Sequence, residues 1–130
     1  MSHPLSQDKE TRFYEFNGFR VDAQNRLLLR SGEIVPLTAK VFDILLVLVK
    51  NRGRVLDKRE LMEAVWPDSF VEVGNLTRNI STLRRALGES PTEHQHIVTF
   101  PGRGYSFVTP VSEVESRPQL FIRERIHAQI

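Results

Sequence analysis

The fold of this chain is decided by one short stretch, NLTRNISTLRRAL at residues 75–87. Apolar side chains recur in it with the spacing of one face of an α-helix, and they are Leu76, Ile80, Leu83 and Leu87. Gly88 follows, and glycine commonly lies just past the end of a helix. We therefore predict a helix over residues 75–87 whose apolar face is buried in the core.

The opposite face of this helix carries hydrogen-bonding side chains and no carboxylate, namely Asn75, Arg78, Ser81, Thr82 and Arg85. A solvated helix face usually mixes charges of both signs, because opposite charges four residues apart attract each other. Arginine can bind guanine through two hydrogen bonds, asparagine can bind adenine, and threonine can contact thymine or a phosphate. The face is typical of a helix that enters the major groove of DNA, and a merely solvated face is the alternative.

A hairpin is predicted next, with residues 97–100 and 105–108 as strands around the tip PGRG at residues 101–104. The two glycines clear space on both sides of Arg103, which lets the backbone approach a partner. A narrow minor groove concentrates negative potential and attracts arginine. We expect Arg103 to reach that groove, with a tight turn and a solvated charge as the alternative. Tyr105 is expected to pack under the hairpin rather than bind a phosphate.

Two more helices are predicted upstream of residue 75. The first has Thr38 as N-cap, Gly53 just past its end, and apolar residues at helical spacing, which are Val41, Phe42, Leu45, Leu46 and Val49. The second begins with Asp57 and Glu60 as a capping box and ends before Pro67. Its apolar residues are Leu61, Met62, Val65 and Trp66.

The chain opens with alternating apolar residues, Tyr14, Phe16, Phe19 and Val21, around the hairpin dipeptide Asn17-Gly18. Apolar segments at residues 27–29 and 34–35 flank Ser31-Gly32 in the same way. The resulting order predicts an α+β winged helix-turn-helix: an N-terminal four-stranded antiparallel sheet, a three-helix core and a C-terminal β-hairpin wing.

Composition restricts the class of protein. The 130 residues are 40% hydrophobic and 26% charged, which is ordinary for one globular domain. The formal charge of +2 is too small by itself to indicate a polyanionic partner, and the absence of cysteine excludes disulfides and thiolate metal sites. We predict a flexible tail at residues 1–11, a domain at residues 12–110, and a linker or tail at residues 111–130.

Four motifs together resemble the OmpR/PhoB type of winged-helix effector domain over roughly residues 13–108. They are Leu37-Thr38, Val65-Trp66, Leu83-Arg84 with Ala86-Leu87, and Gly102-Arg103-Gly104-Tyr105. The resemblance implies sequence-specific binding of double-stranded DNA and regulation of transcription, without a cofactor or a small-molecule substrate. The predicted DNA-binding residues are Asn75, Arg78, Asn79, Ser81, Thr82, Arg84, Arg85, Arg103 and Tyr105, with Arg84 at a phosphate.

The same resemblance implies further partners. In such regulators the loop corresponding to residues 67–72 can touch RNA polymerase, which singles out Asp68, Ser69, Phe70 and Glu72. Such domains often bind direct repeats as tandem copies. Two departures stand out: Val41 replaces a common acidic residue, which weakens a helix cap, and Pro101 replaces a common arginine, which shifts minor-groove contact to Arg103.

The order of domains also differs from that of many such regulators. They frequently follow a phosphorylated receiver domain, yet only about twelve residues precede the sheet here. The arrangement instead resembles CadC-like regulators, in which the DNA-binding domain comes first and a linker leads to a membrane span. We expect a cytoplasmic domain, tethered to the inner membrane if a longer parent chain exists, and this sequence has no apolar run of spanning length.

Other functions are less favoured. His94-Gln95-His96 lacks a third metal ligand, so an exposed turn is the preferred interpretation, and no nucleophile elbow, phosphate loop or carboxylate pair indicates an enzyme. The main alternative is a winged-helix module that binds protein and not DNA. Such a module should expose aromatic or aliphatic anchors, which the outward face of residues 75–87 lacks. RNA binding is disfavoured because no aromatic stacking platform is apparent.

Overall fold

An antiparallel sheet, three helices and a hairpin follow one another along the chain, in a computed structural model that describes residues 11–90, 92 and 94–116. The elements are β1 (Thr11–Phe16), β2 (Phe19–Asp22), β3 (Leu27–Arg30), β4 (Glu33–Val35), α1 (Ala39–Lys50), α2 (Lys58–Val65), α3 (Val73–Ala86), β5 (Ile97–Phe100), β6 (Gly104–Phe107) and β7 (Ser112–Ser116). This order confirms the predicted winged-helix architecture.

Two tight turns build the N-terminal hairpins. Asn17 and Gly18 have φ of 45° and 82°, and Ser31 and Gly32 have φ of 52° and 84°. Positive φ at both central residues matches the right-handed twist of the adjoining strands, and asparagine and glycine tolerate it best. The turn residues that predicted the two hairpins therefore form them.

A fifth strand completes the sheet, whose order is β4-β3-β2-β1-β7. β7 pairs antiparallel with β1, so that Phe13 lies opposite Val114. Arg12 bonds Glu115 at 2.9 Å, and Arg52 after α1 bonds Glu113 at 3.1 Å. The sheet extends into both predicted tails, because Thr11 belongs to β1 and residues 112–116 form a strand. The rest of the predicted tails, residues 1–10 and 117–130 with the apolar residues 120–122, lies outside the described residues.

Side-chain caps begin the first two helices as predicted. The Val41 amide donates to Thr38 Oγ1 at 3.3 Å, and the Glu60 amide donates to Asp57 Oδ1 at 2.7 Å. The Glu60 carboxylate, however, accepts from Arg54 at 2.8 Å, so only one half of the expected capping box is seen. In the part of the chain that the structure describes, no helix is long and apolar enough to cross a membrane.

One core joins the sheet, the helices and the hairpin. Apolar side chains from every helix and from five of the strands are buried in it, including Tyr14, Phe16, Val21, Leu28, Ile44, Leu45, Leu61, Leu76, Ile80, Leu83, Ile97 and Phe107. Because α3 contributes its apolar stripe and β5 and β6 contribute Ile97 and Phe107, the helix and the wing are anchored in the same core. Their outward surfaces are thereby held in a defined arrangement.

Candidate nucleic-acid interface

The third helix, α3, starts two residues earlier than predicted. It runs from Val73 to Ala86, after an N-cap at Glu72 that makes no side-chain capping bond. The buried stripe is confirmed, with Leu76, Ile80, Leu83 and Leu87 at most 3% exposed.

The opposite face of α3 is open to solvent. Arg78, Ser81, Thr82 and Arg85 are exposed. Arg78 donates one hydrogen bond, at 3.1 Å, to the side-chain oxygen of Asn75. The polar face predicted from helical spacing is therefore present as a surface.

Two asparagines on α3 are less available than predicted. Asn75 and Asn79 are half-buried, and the Asn79 amide donates at 2.8 Å to the backbone oxygen of Asn75. A side chain bonded to its own helix has fewer free groups with which to recognise a base. The exposed face therefore centres on Arg78, Ser81, Thr82 and Arg85.

The tip of the wing presents Arg103 to solvent. Its backbone amide bonds Phe100 O at 2.8 Å, and its guanidinium lies 5.8 Å from the centre of the Phe100 ring. Gly102 adopts φ of +74° at the turn with open space around it. The structure thus places one cation at the exposed end of the wing, as predicted.

Gly104 does not clear space beside Arg103 for a partner, as was predicted. It is buried, and a Cβ built on it would lie 1.9 Å from Leu56 O and 2.7 Å from Asp57 Cα. Leu56 and Tyr105 exchange backbone hydrogen bonds of 2.8 and 2.9 Å at the same place. Gly104 therefore permits close packing of the wing against the segment before α2, rather than close approach to an outside partner.

Tyr105 packs in the core with 4% of its surface exposed, which confirms the favoured alternative. The phosphate contact assigned to it does not fit this burial. Arg84 lies beside it, with the guanidinium 5.9 Å from the ring centre.

Arg84 differs most from its predicted role at a DNA phosphate. Its side chain is only 15% exposed, and it donates to Ile97 O and to Thr99 Oγ1. Burial lowers the pKa of Arg84, an effect opposed by the nearby Glu89 carboxylate and Tyr105. The sequence contained a signal for this position, because Arg84 follows Ile80 by four residues and precedes Leu87 by three, at the edge of the buried stripe.

The arginines on the outward face of α3 and at the wing tip differ from most other arginines in having no carboxylate partner among the described residues. Salt bridges to carboxylates involve Arg12, Arg20, Arg26, Arg52, Arg54, Arg59 and Arg84. Within the described residues no such bridge involves Arg78, Arg85 or Arg103. Positive charge on α3 and at the wing tip is therefore not neutralised by neighbouring carboxylates.

His94 and His96, which Gln95 separates in sequence, occupy different environments. His94 is exposed, whereas His96 is buried with Nδ1 at 2.7 Å from Thr109 Oγ1. The rings of Phe16, Phe19 and Phe107 surround it, and burial lowers its pKa against the opposing effect of Glu89. The predicted exposed turn is wrong for His96, which is a core residue.

The loop between α2 and α3 is exposed at all four residues predicted to touch polymerase, Asp68, Ser69, Phe70 and Glu72. Phe70 stands fully in solvent, and Val73 at the start of α3 is 49% exposed. A groove of about 460 Å³ lies beside them, lined by Met62 and Trp66 among others. The loop therefore exposes one large aromatic side chain, Phe70, three residues before the start of α3 at Val73.

A three-helix core with an N-terminal sheet, an exposed polar third helix and a C-terminal wing defines the winged helix-turn-helix class. Residues 32–107 match the family model described as "Transcriptional regulatory protein, C terminal". The chain belongs to this family, whose members include winged-helix DNA-binding domains of the OmpR/PhoB type. It is a domain of transcriptional regulators and not of enzymes.

Relatives share the domain but are much longer. The transcriptional regulator HilA of Salmonella typhi is 40% identical over 108 residues, which are 83% of this chain and 18% of HilA. The KDP operon transcriptional regulatory protein KdpE of Escherichia coli is 36% identical over 95 residues, which are 72% of this chain and 42% of KdpE. The chain thus spans less than half the length of these two relatives.

Solved structures share the fold. The DNA-binding domain of E. coli CadC superposes with a TM-score of 0.68 at 29% identity and covers 77% of this chain and 94% of that one. The Klebsiella pneumoniae RstA DNA-binding domain, solved in complex with the RstA box, has a TM-score of 0.66 at 28% identity, with coverage of 74% and 96%.

Proposed function

We propose that this chain binds double-stranded DNA sequence-specifically and thereby regulates transcription, with α3 in the major groove and Arg103 in the minor groove. One observation carries the proposal: the outward arginines of α3 and the wing have no carboxylate partner among the described residues, whereas most other described arginines do. Unneutralised cations on one helix and one hairpin tip suit a phosphate-rich ligand. The RstA domain, similar in fold, was solved with its DNA box, which supports a duplex ligand.

In this proposal α3 reads bases with a small set of side chains. Arg78 and Arg85 supply forked donors that fit guanine O6 and N7, and Thr82 supplies a methyl group that fits thymine. Arg78 is held by Asn75 at 3.1 Å, so that part of the entropy cost of ordering its side chain is already met in the free protein. Asn75 and Asn79 bond to groups of α3 itself and are not among the side chains that read bases in this proposal.

The wing supplies a second contact. Arg103 stacks on Phe100 at the tip, and a narrow A·T-rich minor groove attracts such a cation through its negative potential. The minor-groove pattern distinguishes A·T from G·C but little more. Arg103 therefore adds a preference for flanking composition and leaves the core motif to α3.

The first test is the salt dependence of duplex binding by the purified chain. Affinity should fall by roughly a hundredfold for a roughly fourfold rise in salt concentration when about four phosphates are neutralised. Fluorescence anisotropy on a duplex selected from random sequences measures it. As a control, Arg20→Ala removes a cation that pairs with Glu15 on the N-terminal sheet and should leave the slope unchanged. A flat salt response would count against DNA as the ligand.

The second prediction separates the wing from the helix. Arg103→Ala should weaken binding by about tenfold on a site with A·T-rich flanks and much less on the same site with G·C-rich flanks. Arg78→Ala should cost about 1–3 kcal/mol on both, because it acts on the core motif. Titration of both variants on the matched duplexes decides the assignment. Equal losses for Arg103→Ala on the two flanks would mean that it contacts only phosphate.

The loop between α2 and α3 has a second candidate function, the binding of a protein partner. The polar face of α3 is not proposed to bind protein. Phe70 is fully exposed and Val73 is half-exposed, and large apolar side chains in such positions often serve as anchors in protein interfaces. We propose that Asp68, Ser69, Phe70 and Glu72 contact RNA polymerase while α3 is on DNA, and that tandem copies of the domain occupy direct repeats.

A further inference from the structure

The end of α3 is joined to the wing by a pair of ionic side chains. Arg84 donates to Ile97 O from Nε at 3.2 Å and from Nη2 at 2.9 Å, and Nη2 also donates to Thr99 Oγ1 at 2.7 Å. The Glu89 carboxylate, fully buried, accepts the amide N–H of Ile97 at 3.1 Å and that of His96 at 2.9 Å. The peptide groups of Ile97 are thus bound on both sides.

The two side chains lie close together at the end of α3. Arg84 lies in the last turn, and the Glu89 amide donates to Arg84 O at 2.9 Å across the turn that ends the helix. Arg84 Nε lies 3.8 Å from Glu89 Oε1, so opposite charges face each other out of solvent. We call this pair with its bonds to β5 the Arg84–Glu89 clamp.

The clamp reaches both strands of the wing. Ile97 and Thr99 lie on β5, where Thr99 is directly opposite Tyr105 of β6. The Arg84 guanidinium lies over the Tyr105 ring at 5.9 Å, and a cation in that position is attracted to the ring face. Both strands of the wing therefore contact side chains carried by α3 and by the turn that ends it.

We propose that the Arg84–Glu89 clamp sets the orientation of the wing relative to α3. This orientation places Arg103 at the minor groove beside the major groove that α3 enters. Arg84 is then a positioning residue that acts through the wing and does not touch DNA. The inference rests on the proposed function where it concerns DNA, and on the free protein alone where it concerns orientation. Arginine is required because its planar fork supplies several donors in fixed directions, whereas lysine offers a point charge.

The test compares two variants at the clamp with a matched control. Arg84→Lys keeps the charge and removes the fork, and Thr99→Val removes only the bond at 2.7 Å. Arg54→Lys makes the same chemical change at an exposed pair with Glu60. Residual dipolar couplings of the free protein measure the orientation of β5 and β6 relative to α3. Dissociation constants on A·T-flanked and G·C-flanked duplexes measure the flank preference.

For Arg84→Lys we expect a changed wing orientation and a flank preference reduced by about fivefold, as about 1 kcal/mol of lost minor-groove contact gives. Affinity on the G·C-flanked site should stay near that of the wild type, which a general loss of folding would not allow. Thr99→Val should shift both readouts in the same direction by less, and it decides the question alone if Arg84→Lys does not fold. Arg54→Lys should match the wild type in both.

If the folded variants keep the wild-type wing orientation and flank preference, the proposed role of the clamp is wrong. A wild-type protein that binds no duplex would overturn the proposed function, and the couplings of the free protein would still decide the clamp. Equal loss of affinity on both duplexes with unchanged couplings would return Arg84 to the phosphate role and also reject the clamp.

Discussion

Replacing Gly104 with alanine is expected to lower the free energy of unfolding by about 3 kcal/mol or more, since overpacking costs about 1–3 kcal/mol and positive φ costs about 1–2 kcal/mol. The added Cβ would fall 1.9 Å from Leu56 O, a backbone atom that is itself bonded to the Tyr105 amide. Gly104 also has φ of +148°, which side chains rarely adopt. The wing must move away from the segment before α2, and urea unfolding should report the loss.

Gly102→Ala is the matched control in the same hairpin. Gly102 has φ of +74° but nothing within 4 Å of its built Cβ, so only the backbone cost of about 1–2 kcal/mol applies. If the two alanine variants are equally stable, the close contact with Leu56 does not restrict the wing. A clearly larger loss for Gly104→Ala than for Gly102→Ala would support the role of Gly104 in packing against Leu56.

Replacing Glu89 with alanine should cost about 3–5 kcal/mol, the usual effect of removing one partner from a buried ion pair. The change leaves the amides of His96 and Ile97 without their acceptor and leaves Arg84 without the carboxylate 3.8 Å away. Each unsatisfied buried group costs about 1–3 kcal/mol. Thermal unfolding followed by circular dichroism at neutral pH measures the effect.

Glu113→Ala serves as the comparison, because Glu113 also faces arginine side chains but does so at the surface. It lies 3.1 Å from Arg52 and 3.8 Å from Arg12, and its side chain is 41% exposed. Exposed pairs contribute about 0–1 kcal/mol. A loss for Glu89→Ala as small as that for Glu113→Ala would mean that water replaces the carboxylate, and the account of the buried pair would be wrong.

The two arginines at the end of α3 show how far a sequence pattern can assign roles. Arg84 and Arg85 are adjacent, and composition alone treats them as one basic pair. A helix turns about 100° per residue, so Arg84 falls at the edge of the buried stripe while Arg85 faces solvent. The charge of Arg84 is used inside the domain, and that of Arg85 stays available to a partner.

The sequence by itself determined the features that depend on neighbours along the chain. The caps at Thr38 and Asp57 and the turns at residues 17–18 and 31–32 each involve residues within four positions of one another. The buried and exposed faces of α3 follow from the helical period alone. These local rules were enough to predict the winged-helix fold and the polar surface of its third helix.

Only the tertiary structure decided which distant segments meet. β7 pairs with β1 from the other end of the domain, and Gly104 packs on Leu56. The Glu89 carboxylate accepts a hydrogen bond from the amide of Ile97 at the start of β5. No local period encodes these contacts, because each depends on how surfaces already formed come together. For the same reason Arg84 looked like a DNA contact in sequence, since its partner Thr99 is brought to it by the fold of the wing.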